Sequence, residues 1–190
     1  MKAKSLLAIL SLMLLVACGP IIGSGMVASN GIKGFEVTEG NLANLKAGSR
    51  VLIVAPFAKT PESFYICRGE DASVFVDAIN ETGVFSADFH MDERFEDNSA
   101  LIASLKKSRP AEIQSKLHLK DAPQLLLTGT ILYRETVAAP TKGVIMKVGY
   151  RLEFFDLNSA EKTVIEIDVK DMFQSCIRTA VKELTKRIVG

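Results

Sequence analysis

The 190-residue chain contains no tryptophan and only two histidines, and its formal net charge at pH 7 is +1. This near-neutral balance, without basic blocks, gives no reason to expect a nucleic-acid partner, because such chains concentrate lysine and arginine on one surface. The ten phenylalanines and three tyrosines lie mostly in patterned segments, which indicates core packing rather than a platform for carbohydrate. Composition therefore favours neither nucleic acids nor sugars as partners.

Sequence motifs of the common enzymes are missing as well. Neither a dinucleotide-binding G-x-G-x-x-G, a Walker pattern nor a G-x-S-x-G nucleophile elbow occurs in the chain. No flanking motif pairs a cysteine with His90 or His118 as an activated nucleophile. The adjacent carboxylates Glu70 and Asp71 have an ordinary role at the positive end of a helix. We expect a protein that is not an enzyme and binds no cofactor and no metal.

Long apolar runs are scarce, and the one present lies at the N-terminus. It covers residues 5–17 and follows the positive charges of Lys2 and Lys4. Its length fits the ~7–15 residues of a signal-peptide core and falls short of the ~20 apolar residues of a membrane-spanning helix. Leu15, a small residue at 17 and Cys18 complete the pattern. No later stretch is long and apolar enough to predict a spanning helix.

This pattern resembles the lipobox of bacterial lipoproteins. The resemblance implies that residues 1–17 are removed, that the Cys18 thiol receives a diacylglycerol, and that its new amine is acylated. Two or more acyl chains at ~0.8 kcal/mol per buried methylene make a durable membrane anchor. Gly19 stands where an aspartate would favour retention in the inner membrane, so we expect a periplasm-facing protein of the outer membrane. The alternative is an ordinary secretory peptide with a chance cysteine.

Two further cysteines, Cys67 and Cys176, remain after Cys18. The compartment implied by the lipobox is oxidising, and an even number of thiols permits a disulfide. A bridge that closes so long a loop stabilises a fold by roughly 4–5 kcal/mol when it is unstrained. The alternative is two separate buried thiols, and the sequence leaves both readings open.

The rest of the chain divides into a tether and one domain. Residues 18–34 comprise the lipidated cysteine and a segment rich in Gly, Ser and Asn, typical of a flexible tether, and residues 35–190 form a single domain. Apolar periodicity predicts the order β-α-β-α-β-β-β-α. The predicted strands are 50–57, 84–90, 124–137, 144–157 and 163–169, and the predicted helices are 71–82, 99–107, one from Pro110, and 173–188.

Alternation along the last strands predicts which sheet face is buried. Apolar residues at even positions from Met146 to Phe154 point one way, and polar residues point the other way. The predicted fold is an α+β two-layer sandwich, with a mixed sheet, an antiparallel meander and helices packed on one face. The opposite face carries the charged residues of the meander, which are Lys147, Arg151, Glu153, Glu166 and Asp168.

The strand ending in VAPF, the helix ending in ETGVF and the segment DAPQLLLTGTI resemble a group of envelope proteins over residues 50–188. That group includes the curli-secretion lipoprotein CsgG, the N-terminal domain of TolB and the synthase activator LpoB. The resemblance implies a shared α+β scaffold that binds another envelope component during assembly or secretion. It also points to the loop with Phe64 and Tyr65 as a partner surface. The other predicted partner surface is the exposed sheet face with Lys147, Arg151 and Glu153. The short loops leave no strands for a pore of its own.

Two other functions remain open from the sequence. A small accessory lipoprotein of lipopolysaccharide assembly has a similar α+β domain but lacks the helical insert at 98–119. A metal-assisted hydrolase would use Asp88, His90 and Asp92, which share one strand face, together with Glu93. Zinc sites usually show tighter Cys and His spacing, so we interpret these four residues as a solvated strand end.

Overall fold

A computed structural model describes residues 30–63, 70–91, 98–139 and 143–190. These residues form one mixed sheet of seven strands together with four α-helices. The strands are β1 (Gly31–Glu39), β2 (Arg50–Ala55), β3 (Ala58–Lys59), β4 (Ser86–Met91), β5 (Leu125–Ala138), β6 (Ile145–Asp156) and β7 (Lys162–Met172). The helices are α1 (Glu70–Thr82), α2 (Ser99–Leu105), α3 (Pro110–Leu117) and α4 (Cys176–Val189).

The strand order across the sheet is β1-β7-β6-β5-β2-β4, with the short β3 paired to β5. Strands β5, β6 and β7 form an antiparallel meander, which β1 extends in the antiparallel sense. Strands β2 and β4 add to β5 in the parallel sense. The predicted α+β class, mixed sheet and meander are therefore confirmed.

The main core lies between the sheet and the helices α1 and α4. Alternate residues of β6 from Met146 to Phe154 are buried there, as the period-two pattern predicts. Phe75 of α1 packs edge-on against the ring of Tyr150, with their centroids 5.4 Å apart. Leu184 of α4 is fully buried in the same cluster. This core covers one face of the sheet, and none of the described helices covers the other face of β1 and β7.

Helices α2 and α3 differ from the prediction, which placed every helix on one face. Leu105 and Ile113 pack on Leu52, Val54 and Leu126, on the face opposite α1 and α4. The reason is that β2 is apolar at consecutive positions, as strands buried on both faces are. A second, smaller core therefore covers the β2 end of the sheet and leaves its β1 end open.

The domain also begins earlier than residue 35. Strand β1 starts at Gly31, where the sequence predicts the end of a tether, and its Phe35 packs at the rim of the main core. Two glycines in this short strand hide its pattern, since Gly34 lies opposite Asp168 and carries no side chain. The predicted tether up to residue 29, with Cys18, lies outside the described residues. Within the described part of the chain, no helix has the length and apolar character needed to cross a bilayer.

Candidate interaction surface

The open sheet face is a set of cross-strand rows on β5, β6, β7 and β1. The first row, nearest the end where the β5–β6 turn lies, contains Glu135, Lys147, Lys170 and Gly31. The second row contains Tyr133, Gly149, Asp168 and Gly34. The third row contains Thr130, Arg151, Glu166 and Glu36. Because residues in one row are direct neighbours on one face, their charges act together.

Tyr133 lies flat on this face, above the backbone of Gly149. A Cβ atom added at Gly149 would come 2.5 Å from the tyrosine ring, so only glycine leaves room for it. The Tyr133 hydroxyl donates to Asp168 Oδ1 at 2.5 Å, and Lys147 Nζ lies 5.2 Å from the ring centroid. Burial, followed by the hydrogen bond to Asp168, raises the pKa of the Tyr133 phenol, which stays protonated and donating.

Two ion pairs hold charged side chains of the open face in place further from the hairpin end. Arg151 Nη1 donates to Glu166 Oε1 at 3.2 Å between neighbouring strands. Lys106, which follows α2, reaches down to Glu153 Oε1 at 2.5 Å, and its ammonium lies 5.3 Å from the ring centroid of Phe155. The second pair joins the helical cover to the sheet, so the open face has a defined border where α2 ends.

The structure places three of the predicted partner-surface residues, Lys147, Arg151 and Glu153, together on this open face. Arg151 is exposed, whereas Lys147 and Glu153 are half-buried by their neighbours. The other two, Phe64 and Tyr65, lie outside the described residues. Sequence alternation revealed the charged stripe but not the contribution of Tyr133, because a bulge in β5 after Ile131 shifts the register.

A buried ion pair on the opposite face was not predicted. Asp71, in the first turn of α1, accepts a hydrogen bond from Arg134 Nη2 of β5. Their side chains are 13% and 3% exposed, so the pair fixes the start of α1 against the sheet from within the core. The sequence explains Asp71 as a helix-start residue, but its partner is 63 positions away and no local pattern reveals it.

Cys176 opens α4 in the same region and is 1% exposed. Its thiol lies 3.4 Å from the carbonyl oxygen of Met172. Burial raises the pKa of this thiol to about 11, and burial also raises the pKa of the neighbouring Tyr150 phenol. Cys67, the proposed disulfide partner of Cys176, lies outside the described residues, and the bridge stays a prediction.

The buried thiol predicts an alkaline loss of stability in the reduced protein. A raised folded-state pKa means that stability is fully present below about pH 9 and is lost as the pH rises through about 11. Urea unfolding between these values should show a loss of about 2 kcal/mol attributable to Cys176. Cys176→Ala should keep its stability up to about pH 10, where Tyr150 begins to contribute. Identical pH profiles for the two proteins would contradict this assignment.

Only two of the four candidate metal ligands, Asp88 and His90, lie among the described residues. Asp88 and His90 lie on β4 opposite Leu52 and Val54, and Asp88 is exposed. In the described ranges, no three His, Cys, Asp or Glu side chains come together as a metal site would require. Asp92 and Glu93 lie outside those ranges, so the metal-assisted hydrolase stays an untested alternative.

No family profile matches the chain, and no curated protein sequence matches it. Several solved structures are similar to it at low identity. A PelC dodecamer from Paraburkholderia phytofirmans is 12% identical, with a TM-score of 0.49 over 82% of this chain and 96% of that one. The hypothetical protein CT253 from Chlamydia trachomatis is 13% identical, with a TM-score of 0.42 over 75% and 94%.

Lipoprotein GNA1162 from Neisseria meningitidis is also similar, with 12% identity and a TM-score of 0.40 over 74% of this chain and 98% of that one. The structures that resemble this chain thus include a bacterial lipoprotein. At these identities the similarities carry no statement about the partners of this chain. The specific resemblance to CsgG, TolB and LpoB stays a prediction from the sequence.

Proposed function

We propose that this protein is a non-catalytic, lipid-anchored protein of the outer membrane whose domain binds another envelope protein during assembly or secretion. The observation that supports this most is the open sheet face, a charged surface on rigid strands in a chain with a lipobox. Sites on strands hold their side chains more precisely than sites on loops. An anchored domain of this kind acts by bringing its partner to the membrane rather than by chemistry.

Arg151 is the residue of this face best suited to contact a protein partner. Its side chain is 45% exposed, and its contact with Glu166 uses one of the five N–H donors of the guanidinium. Arginine and tyrosine are enriched at the centres of protein interfaces, and Tyr133 lies one row away. Charges at such positions provide orientation and specificity more than affinity. The partner surface is therefore expected to present carboxylates opposite Arg151.

A photo-crosslinking amino acid placed at position 151 tests this proposal in intact cells. We expect one product of defined mass that contains another envelope protein. Position 178 is the matched control, because Arg178 is also an exposed arginine, 52% accessible, paired to a glutamate at 3.2 Å, but on α4. The control should yield no such product. Equal products from both positions, or none from position 151, would contradict a partner at the open face.

A further inference from the structure

We propose that the end of the sheet where β1 starts and the β5–β6 hairpin turns lies against an anionic lipid bilayer. Val137 and Val144 contact the membrane interface, and Lys147 and Lys170 face the lipid headgroups. This inference rests on the proposed anchor at Cys18 and adds to it an orientation of the domain.

The chain enters the domain at this end of the sheet. Asn30, just before β1, donates from Nδ2 to Asp171 Oδ1 at 3.2 Å. Met172, the next residue of β7, pairs with Ile145 at the start of β6. Asn30 and the β5–β6 hairpin therefore lie at the same end of the sheet. The eleven residues between Cys18 and Asn30 span at most ~40 Å even when fully extended. An anchor at Cys18 therefore limits the distance between this end of the domain and the lipid surface to about 40 Å.

Exposed apolar side chains lie at the same end. Val137 at the end of β5 is 44% exposed, and Val144 just before β6 is 37% exposed. The backbone fixes Val144 here, since its carbonyl accepts from the amide of Phe173 at 2.8 Å. Moving apolar surface from water into the lipid interface is favourable, so burial of these two side chains in the interface would stabilise membrane contact.

Basic side chains form the row directly behind the hairpin end. Lys147 and Lys170 stand directly opposite each other on β6 and β7, where like charges repel. Glu135 lies on the far side of Lys147, and Asp168 lies one row further from this end on β7. The carboxylates of Glu166 and Glu36 lie two rows further from this end. On the open face, the row with two lysines is thus the one nearest the end where the chain enters the domain, as contact with anionic headgroups requires.

This orientation also separates the two contacts of the domain. The row with Arg151 lies away from the hairpin end and remains accessible from the periplasm while the first row faces lipid. One sheet thus carries a membrane contact at one end and the proposed protein contact further along its open face.

Single-tryptophan reporters test the orientation, because the chain contains no tryptophan of its own. The lipidated full-length mature protein, carrying Val144→Trp, is reconstituted into vesicles of phosphatidylcholine and phosphatidylglycerol with brominated acyl chains. We expect a blue shift of the emission and loss of intensity by bromine quenching. Val137→Trp serves as a second reporter of the same contact. Val189→Trp is the matched control, because Val189 is 61% exposed at the last residue of α4, whose first residue follows β7 at the hairpin end.

The outcomes separate this inference from the anchor on which it rests. Quenching at 144 and 137 but not at 189 supports the proposed orientation. Weaker quenching in vesicles of phosphatidylcholine alone supports the role of the two lysines. Protein that floats with the vesicles but shows no quenching at 144 and 137 keeps the anchor and overturns the orientation. Mature protein from native membranes that carries no acyl chains and does not float with the vesicles would overturn the proposed function instead.

Discussion

Replacing Asp71 with alanine is expected to lower the free energy of unfolding by about 3–5 kcal/mol, because it removes a carboxylate that pairs with the buried guanidinium of Arg134. A charge in a low-dielectric core loses its hydration, and the ion pair is what compensates that cost. The loss should appear as a lower urea midpoint with an unchanged slope.

The same helix supplies the control. Glu81, near the end of α1, pairs with Arg178 at 3.2 Å, but both side chains are more than half exposed. Exposed ion pairs contribute about 0–1 kcal/mol, so Glu81→Ala should change the free energy of unfolding little. Equal losses for Asp71→Ala and Glu81→Ala would show that burial of the first pair is not what matters.

A double variant distinguishes a missing partner from a missing side chain. Asp71→Leu combined with Arg134→Met removes both charges and keeps apolar volume, and such replacements are often neutral or stabilising. We expect the double variant to recover most of the stability that Asp71→Ala loses. A double variant as unstable as Asp71→Ala would assign the effect to packing instead of charge.

Cys18→Ala is expected to remove nearly all of the protein from the outer-membrane fraction. Without the thiol there is no acceptor for the diacylglycerol, and the implied cleavage before position 18 does not occur. The chain should then remain a larger precursor that retains residues 1–17. Gradient separation of the two membranes, together with gel mobility, measures both effects.

Cys176→Ala is the control for the loss of a thiol elsewhere. Cys176 lies in the core at the start of α4, so its replacement should change neither the size of the mature chain nor its membrane fraction. A Cys18→Ala protein that still reaches the outer membrane at mature size would contradict the anchor.

The sequence predicts the meander well, because a sheet with one buried face shows its alternation residue by residue. Met146, Val148 and Tyr150 are buried as predicted, and Lys147 and Arg151 lie on the other face. The sequence also predicts the C-terminal helix, because only one of its faces is buried. The apolar stripe from Ile177 to Leu184 faces the core.

Other features depend on contacts between distant residues, and local patterns do not reveal them. The consecutive apolar residues of β2 signal burial on two faces, but only the fold shows that Leu105 and Ile113 cover the second face. Strand β1 is hidden by its glycines, which read as a tether. Tyr133 joins Asp168 across three strands, and no pattern in one segment predicts that pair.

The mass of the mature N-terminal peptide, taken from protein purified out of native membranes, tests the central claim most directly. The account predicts a peptide that begins at Cys18 and carries a diacylglycerol on sulfur and an acyl chain on its amine. A peptide that begins at Met1, or one whose Cys18 is unmodified, would contradict the anchor and the membrane-facing orientation built on it.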